Sequence, residues 1–217
     1  MRVLIPDRAI GAVETLLRNI VRQMAQSRSR EYSRRHITAL AAGPILNQLF
    51  KENVLIELPG TGNSSALAFS HNLIHDYATA RLLLRGTSVE LCEELEADPD
   101  VVLSIWVSVE MHFQYLWWHN RPAFWETVFV LEASSNAPLL GKLAGPAVAA
   151  DAIEVEADFE PLLERMGSAD AETRRAAELA FAHLVGRVST RAPGLPNSLV
   201  GANSPPWARL LAEISRR

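Results

Sequence analysis

The run whose residue types come nearest to those of a metal site or a nucleophilic triad is Ser70-His71-Asn72-Leu73-Ile74-His75-Asp76. Imidazoles at i and i+4 share one face of a helix, the spacing by which two histidines hold a zinc ion. A metalloprotease places Glu directly after the first histidine, where Asn72 stands here, and no spacing marks a third ligand. Serine, histidine and aspartate are also the residue types of a nucleophilic triad, but Ser70 lacks the Gly-x-Ser-x-Gly elbow that exposes such a nucleophile. A packed or exposed histidine pair is therefore preferred over metal binding or acyl transfer. The single cysteine, Cys92, lies among Glu90, Glu93 and Glu94, whose charges keep a thiol protonated. One cysteine forms no intramolecular disulfide, so a reducing, cytoplasmic setting is the expectation. No catalytic residue and no metal ligand is assigned.

Two further groups of side chains point to binding. Arg28, Arg30, Arg34 and Arg35, with His36, form a basic cluster that suits a protein partner or the phosphates of a nucleic acid. A net charge of −4 over 217 residues argues against general attraction to nucleic acid or anionic lipid, so any such contact is local. Trp106, Trp117, Trp118 and Trp125, with Phe113, Tyr115, Phe124 and Phe129, concentrate aromatic surface in the second half. They read first as core between helices, and second as a patch for a partner. His112 and His119 are expected to cover the surface of their helix.

These residues must be positioned by elements, and the apolar spacing predicts which. Ile10, Val13, Leu16, Leu17, Ile20, Val21 and Met24 recur at helical intervals over residues 8–26. The polar stretch 27–35 leads to a second helix over 35–42, ended by Gly43-Pro44, and a third over 44–51 with Ile45, Leu49 and Phe50 inward. Residues 54–58 and 66–69 are short apolar runs around a Pro-Gly-Asn-Ser turn cluster, which predicts a β-hairpin. A helix over 71–84 follows, with Leu73, Ile74, Tyr77, Ala78, Leu82 and Leu83 as its apolar side. Beyond it only helical periods occur, over 88–96, 101–119, 122–133, 138–150, 159–166, 169–188 and 206–215, with 189–204 as a Pro-, Gly- and Ser-rich linker. Residues 158–177 look like one HEAT-type unit, with the turn capped by Ser168 or Asp170.

The predicted fold class is mainly α. A winged-helix-like unit with a small hairpin occupies residues 1–86, HEAT-like antiparallel helical hairpins occupy 87–188, and a loop with a short terminal helix occupies 189–217. No apolar run approaches the roughly 20 residues needed to cross a bilayer, and the opening residues are neither signal peptide nor anchor.

The stretch from Ala68 to Leu83, with its Phe69-Ser70-His71 and the following Asp76-Tyr77-Ala78-Thr79-Ala80, resembles the end of the winged-helix domain of STAND-type ATPases, including NACHT proteins. The lead-in from Leu49 to Glu57 is similar to theirs, and the aromatic helices downstream are similar to the region that follows in large bacterial ATPases. The resemblance implies that His71 senses the phosphate of a nucleotide, as an imidazole at a helix start is suited to do. It departs from the family in lacking Gly-x-x-x-x-Gly-Lys-Ser/Thr: Gly60-Thr61-Gly62-Asn63 carries no lysine, and Gly141-Lys142-Leu143 no hydroxyl after the lysine. What it implies is a regulatory or scaffolding piece of such an ATPase, without a cofactor of its own, taking ATP or ADP only together with a separate ATPase core. The alternative is a small winged-helix nucleic-acid-binding regulator.

Overall fold

The computed structural model describes residues 7–34, 43–59 and 65–191. It is mainly helical, with one small antiparallel sheet, and it divides into two compact units, 1–85 with 103–111 and 86–102 with 112–217.

In the first unit α1 (Asp7–Ser27) buries Leu16, Ile20, Val21 and Met24 along one stripe. After it come β1 (Tyr32–Ser33), α2 (Gly43–Lys51), β2 (Leu55–Leu58) and β3 (Ala66–Phe69). The strand order is β1-β3-β2, both pairs antiparallel, with Leu55 opposite Phe69 and Tyr32 opposite Leu67. Period-2 alternation decides which residues face inward: Leu55, Leu67 and Phe69 are buried and join Leu46 and Leu49 of α2 and the α1 stripe in one core. A sheet this small is not stable alone, so it depends on that helical cover.

The predicted hairpin over 54–69 is therefore formed, and it has a third strand that the sequence reading passed over as a polar connection. Tyr32 is buried and pairs within the sheet, but a two-residue strand is too short to show a period. The predicted helices over 35–42 and 206–215 lie outside the described residues, as does all but the start of the predicted linker. That start is corrected: α9 continues to Arg191, so residues 189–191 are helical.

The predicted helix over 71–84 is two elements. α3 (Asn72–Ala78) passes into a π-helical turn (Thr79–Leu83), in which the Leu84 N–H donates to Thr79 O. Its expected inner face is also corrected. Leu73 and Tyr77 are 66% and 60% exposed, while His75 and Asp76, 5% and 6% exposed, face inward with Ala78, Thr79 and Ala80.

The second unit is built from α4 (Ser88–Ala97), α6 (Arg121–Ala133), α7 (Leu139–Ala152), α8 (Glu160–Met166) and α9 (Ala171–Arg191), with part of α5 (Val101–His119). The caps are those the residue types favour. Thr87 Oγ1 accepts from the Glu90 N–H while Glu90 Oε2 accepts from the Thr87 N–H, and Asn120 accepts from the Ala123 N–H. Asp170 rather than Ser168 caps α9, its Oδ2 accepting from the Thr173 N–H at 2.7 Å.

Aromatic edges fill the centre of this unit: Trp117 meets Phe124 at 4.8 Å, and Phe124 meets Phe113 at 5.6 Å and Trp125 at 5.3 Å. Arg121 lies over the Trp117 ring and pairs with Asp158, whose second oxygen accepts the N–H groups of Glu154 and Val155. The core reading thus holds for Phe113, Trp117, Phe124, Trp125 and Phe129, whereas Trp118 is 64% exposed. His112, expected on the surface, is buried.

Candidate functional site

The site begins at the end of α1. The Ser29 N–H donates to Met24 O and the Arg28 N–H to Ala25 O, a closure that requires a left-handed residue at position 28. Arg28 supplies it with φ 52°, where Gly or Asn is the usual choice. α2 ends with the same closure, Val54 to Leu49 and Asn53 to Phe50, and there the left-handed residue is Asn53, φ 54°, a type that tolerates it. A β-carbon in this conformation costs roughly 1 kcal/mol, so Arg28 is held against its backbone preference.

This turn directs Arg30 back onto α3. Its Nη1 lies 3.1 Å from Asp76 Oδ1 and 3.1 Å from His75 Nδ1, and His75 Nδ1 lies 2.9 Å from the same Asp76 oxygen. A carboxylate oxygen accepts two hydrogen bonds, so the consistent arrangement has both Arg30 and His75 Nδ1–H donating to Oδ1. That tautomer leaves Nε2 as the basic nitrogen. Burial is the chief influence on the imidazole and pushes its pKa below the usual histidine value; the Arg30 charge acts the same way, and the bond to Asp76 opposes both. His75 is thus neutral at neutral pH. Phe69 at the end of β3 fixes the ring from the side, edge-on at 5.5 Å.

Beside this cluster, within the first unit, lies a cavity of about 80 Å³ lined by Arg28, Ser29, Arg30, His75, Ser104 and Ile105, among others. Ile105 interrupts α5 with φ −114° and ψ 17°. The sequence carries no Pro or Gly there to announce the break.

The other sequence-predicted residues are placed as follows. His71 is the exposed residue preceding α3; its backbone is extended and its side chain makes no capping bond. It and His75 differ sharply in surroundings, one solvent-facing and the other enclosed. Arg34 is paired with Glu57 of β2, so the basic cluster is partly neutralised by carboxylates. Arg35 lies outside the described residues. Lys142 donates to Ser134 O at 2.6 Å and serves the α6–α7 connection. Cys92 is buried, and burial together with Glu96 raises its thiol to about 11. Among the described residues no three His, Cys, Asp or Glu side chains group as metal ligands, and no helix is long and apolar enough to cross a membrane.

The sequence reading noted His75 and Asp76 but placed the weight on His71. The residue it had grouped elsewhere, Arg30, is what turns the pair into a cluster. A histidine followed directly by an aspartate within an otherwise amphipathic helix was the available signal. No family model, no curated protein and no solved structure matches the chain.

Proposed function

We propose that this chain is a non-catalytic regulatory or scaffolding module that acts by binding, working with a separate ATPase core of the STAND type. The reading is winged-helix-like for the first unit and HEAT-like for the helical hairpins of the second. One observation carries it: the order α1, β1, α2, β2, β3, α3 with sheet order β1-β3-β2 puts His71 at the exposed entry to α3, with no capping bond from its side chain. An imidazole so placed has its donors available to an incoming phosphate.

In this reading the nucleotide is held by the core, and His71 contributes one contact that reports its state. The chain alone then neither hydrolyses ATP nor binds it tightly. The test is calorimetry of the whole chain with magnesium-ATP and magnesium-ADP, alongside a phosphate-release assay. No heat of specific binding and no turnover are expected; micromolar affinity or turnover by the chain alone overturns the reading. The nucleic-acid alternative is disfavoured by Arg30 and Arg34, which are engaged by Asp76 and Glu57. Retention on duplex DNA that falls steeply with salt would restore it.

A further inference from the structure

Five of the six histidines lie among the described residues, and they differ in what holds Nδ1 and in how far the ring is open. His71 is exposed, and so is His119, whose Nδ1 lies 2.9 Å from the Tyr115 carbonyl oxygen. His75 has a carboxylate on Nδ1 but is 5% exposed, and His112 is buried as well. Among these five, His183 of α9 alone joins a carboxylate partner to an open ring. Its Nδ1 lies 2.7 Å from Glu132 Oε1, and its side chain is 23% exposed.

The carboxylate comes from α6 of the same unit and is fully enclosed. Its second oxygen has no hydrogen-bond partner among the described residues, so the carboxylate acts through hydrogen bonding on His183. A buried carboxylate held by one hydrogen bond destabilises a fold, and glutamine would fill the same space without the charge. With the carboxylate as acceptor, His183 Nδ1 carries the proton and Nε2 the lone pair. Nε2 has no hydrogen bond among the described residues and is not enclosed. A carboxylate on the far N–H raises the basicity of this nitrogen and fixes the ring, which is how an imidazole becomes a nucleophile.

We propose that His183 Nε2 is a phosphoryl-acceptor site, taking the group from a small activated donor, an acyl phosphate or a phosphoramidate, with Glu132 as its positioning residue. The Nε2 lone pair forms the N–P bond while the bond from phosphorus to the donor's oxygen or nitrogen breaks, and that atom departs with the electron pair. The Nδ1 proton stays in the bond to Glu132, whose charge offsets the positive charge that the ring gains. A phosphoryl group suits this pair better than an acyl group. Its negative charge keeps the proton on Nδ1, where Glu132 accepts it, whereas an acyl group withdraws electrons and makes the imidazole a leaving group. The site lies in the second unit, apart from His71, and does not depend on the ATPase reading.

The experiment is incubation of the whole folded chain with phosphoramidate at pH 8, followed by ³¹P NMR and by peptide mass spectrometry that assigns the acid-labile phosphate to individual histidines. His183 is expected to be phosphorylated about tenfold faster than His71 and His119, although its ring is the less exposed. Glu132→Gln keeps the shape and removes the buried charge. It is expected to slow His183 about tenfold, to the level of His119, and to leave His71 and His119 as they were. Should Glu132→Gln fail to fold, the ranking of the three histidines in the unaltered chain carries the test. Phosphorylation of His183 no faster than of the two exposed histidines, or a His183 rate unchanged by Glu132→Gln, overturns the proposal.

Discussion

His75 Nδ1 lies 2.9 Å from the carboxylate of its own neighbour, Asp76, and both side chains point into the protein from a helix whose leucine and tyrosine point out. Adjacent residues on a helix are about 100° apart, so burying both turns the inner face of α3 toward Ala78 and Thr79. The exposed positions 73 and 77 follow from that rotation.

The buried imidazole makes stability depend on pH. Its pKa is lowered in the folded protein, so the unfolded chain binds more protons between the ordinary histidine value, about 6.5, and the lower native one. Its contribution is complete above about 6.5 and is lost as pH falls through that window. Urea midpoints from pH 8 to pH 5 should fall, and the fall should be smaller in His75→Gln. An identical slope in the variant would show that the loss originates elsewhere.

Glu132 of α6 presents the opposite sign. Its side chain is fully buried, His183 Nδ1 bonds one oxygen at 2.7 Å, and the other oxygen has no hydrogen-bond partner. Burial raises its pKa, so this carboxyl favours the native state in acid and withdraws that support as pH rises through the raised value. Glu132→Gln is expected to raise the melting temperature at pH 8 and to have less effect near pH 4. His183→Ala leaves the carboxylate buried without its partner and should cost about 3 kcal/mol in chemical denaturation at pH 7.

Gly145 of α7 packs directly against side chains of the neighbouring helices. A β-carbon there would overlap Val128 Cγ2 and come within 2.9 Å of Phe113 Cε1, both packed in the core. Gly145→Ala should therefore destabilise by about 1–3 kcal/mol despite the higher helix propensity of alanine. Gly11→Ala, where nothing lies within 4 Å of the added carbon, should be neutral or stabilising by comparison. Equal effects at the two positions in urea titrations would contradict this packing.

Cys92 should resist modification. A thiol held at about 11 and buried has little thiolate at pH 8, so labelling by a maleimide is expected only as the protein opens. The labelling rate should rise with urea in step with unfolding; fast labelling in buffer would place the thiol at the surface.

The helices were legible because their apolar period is long and their caps are ordinary residue types, as with Thr87 and Glu90 before α4 or Asn120 before α6. The hairpin was legible through its turn cluster. What escaped lacks a local signal. Tyr32–Ser33 is a strand only because β3 offers it partners, and Ile105 breaks α5 without any helix-breaking residue. The inward face of α3 was misread because Leu73 and Tyr77 were counted as core, when the cation that makes His75 and Asp76 tolerable inside comes from Arg30, 46 residues before Asp76. Hydrophobic pattern alone does not carry that pairing.

The central strand of the sheet bears a last consequence. Leu67 of β3 has a neighbour on each side, and its three-way pairing joins residues 32, 57 and 67. Since each outer strand pairs only with the shared one, β3 is the last piece of the ladder to open. Deuterium should therefore enter the amides of β3 at the rate of whole-unit opening, and the exposed start of α3, only a few residues further along the chain, should exchange far sooner.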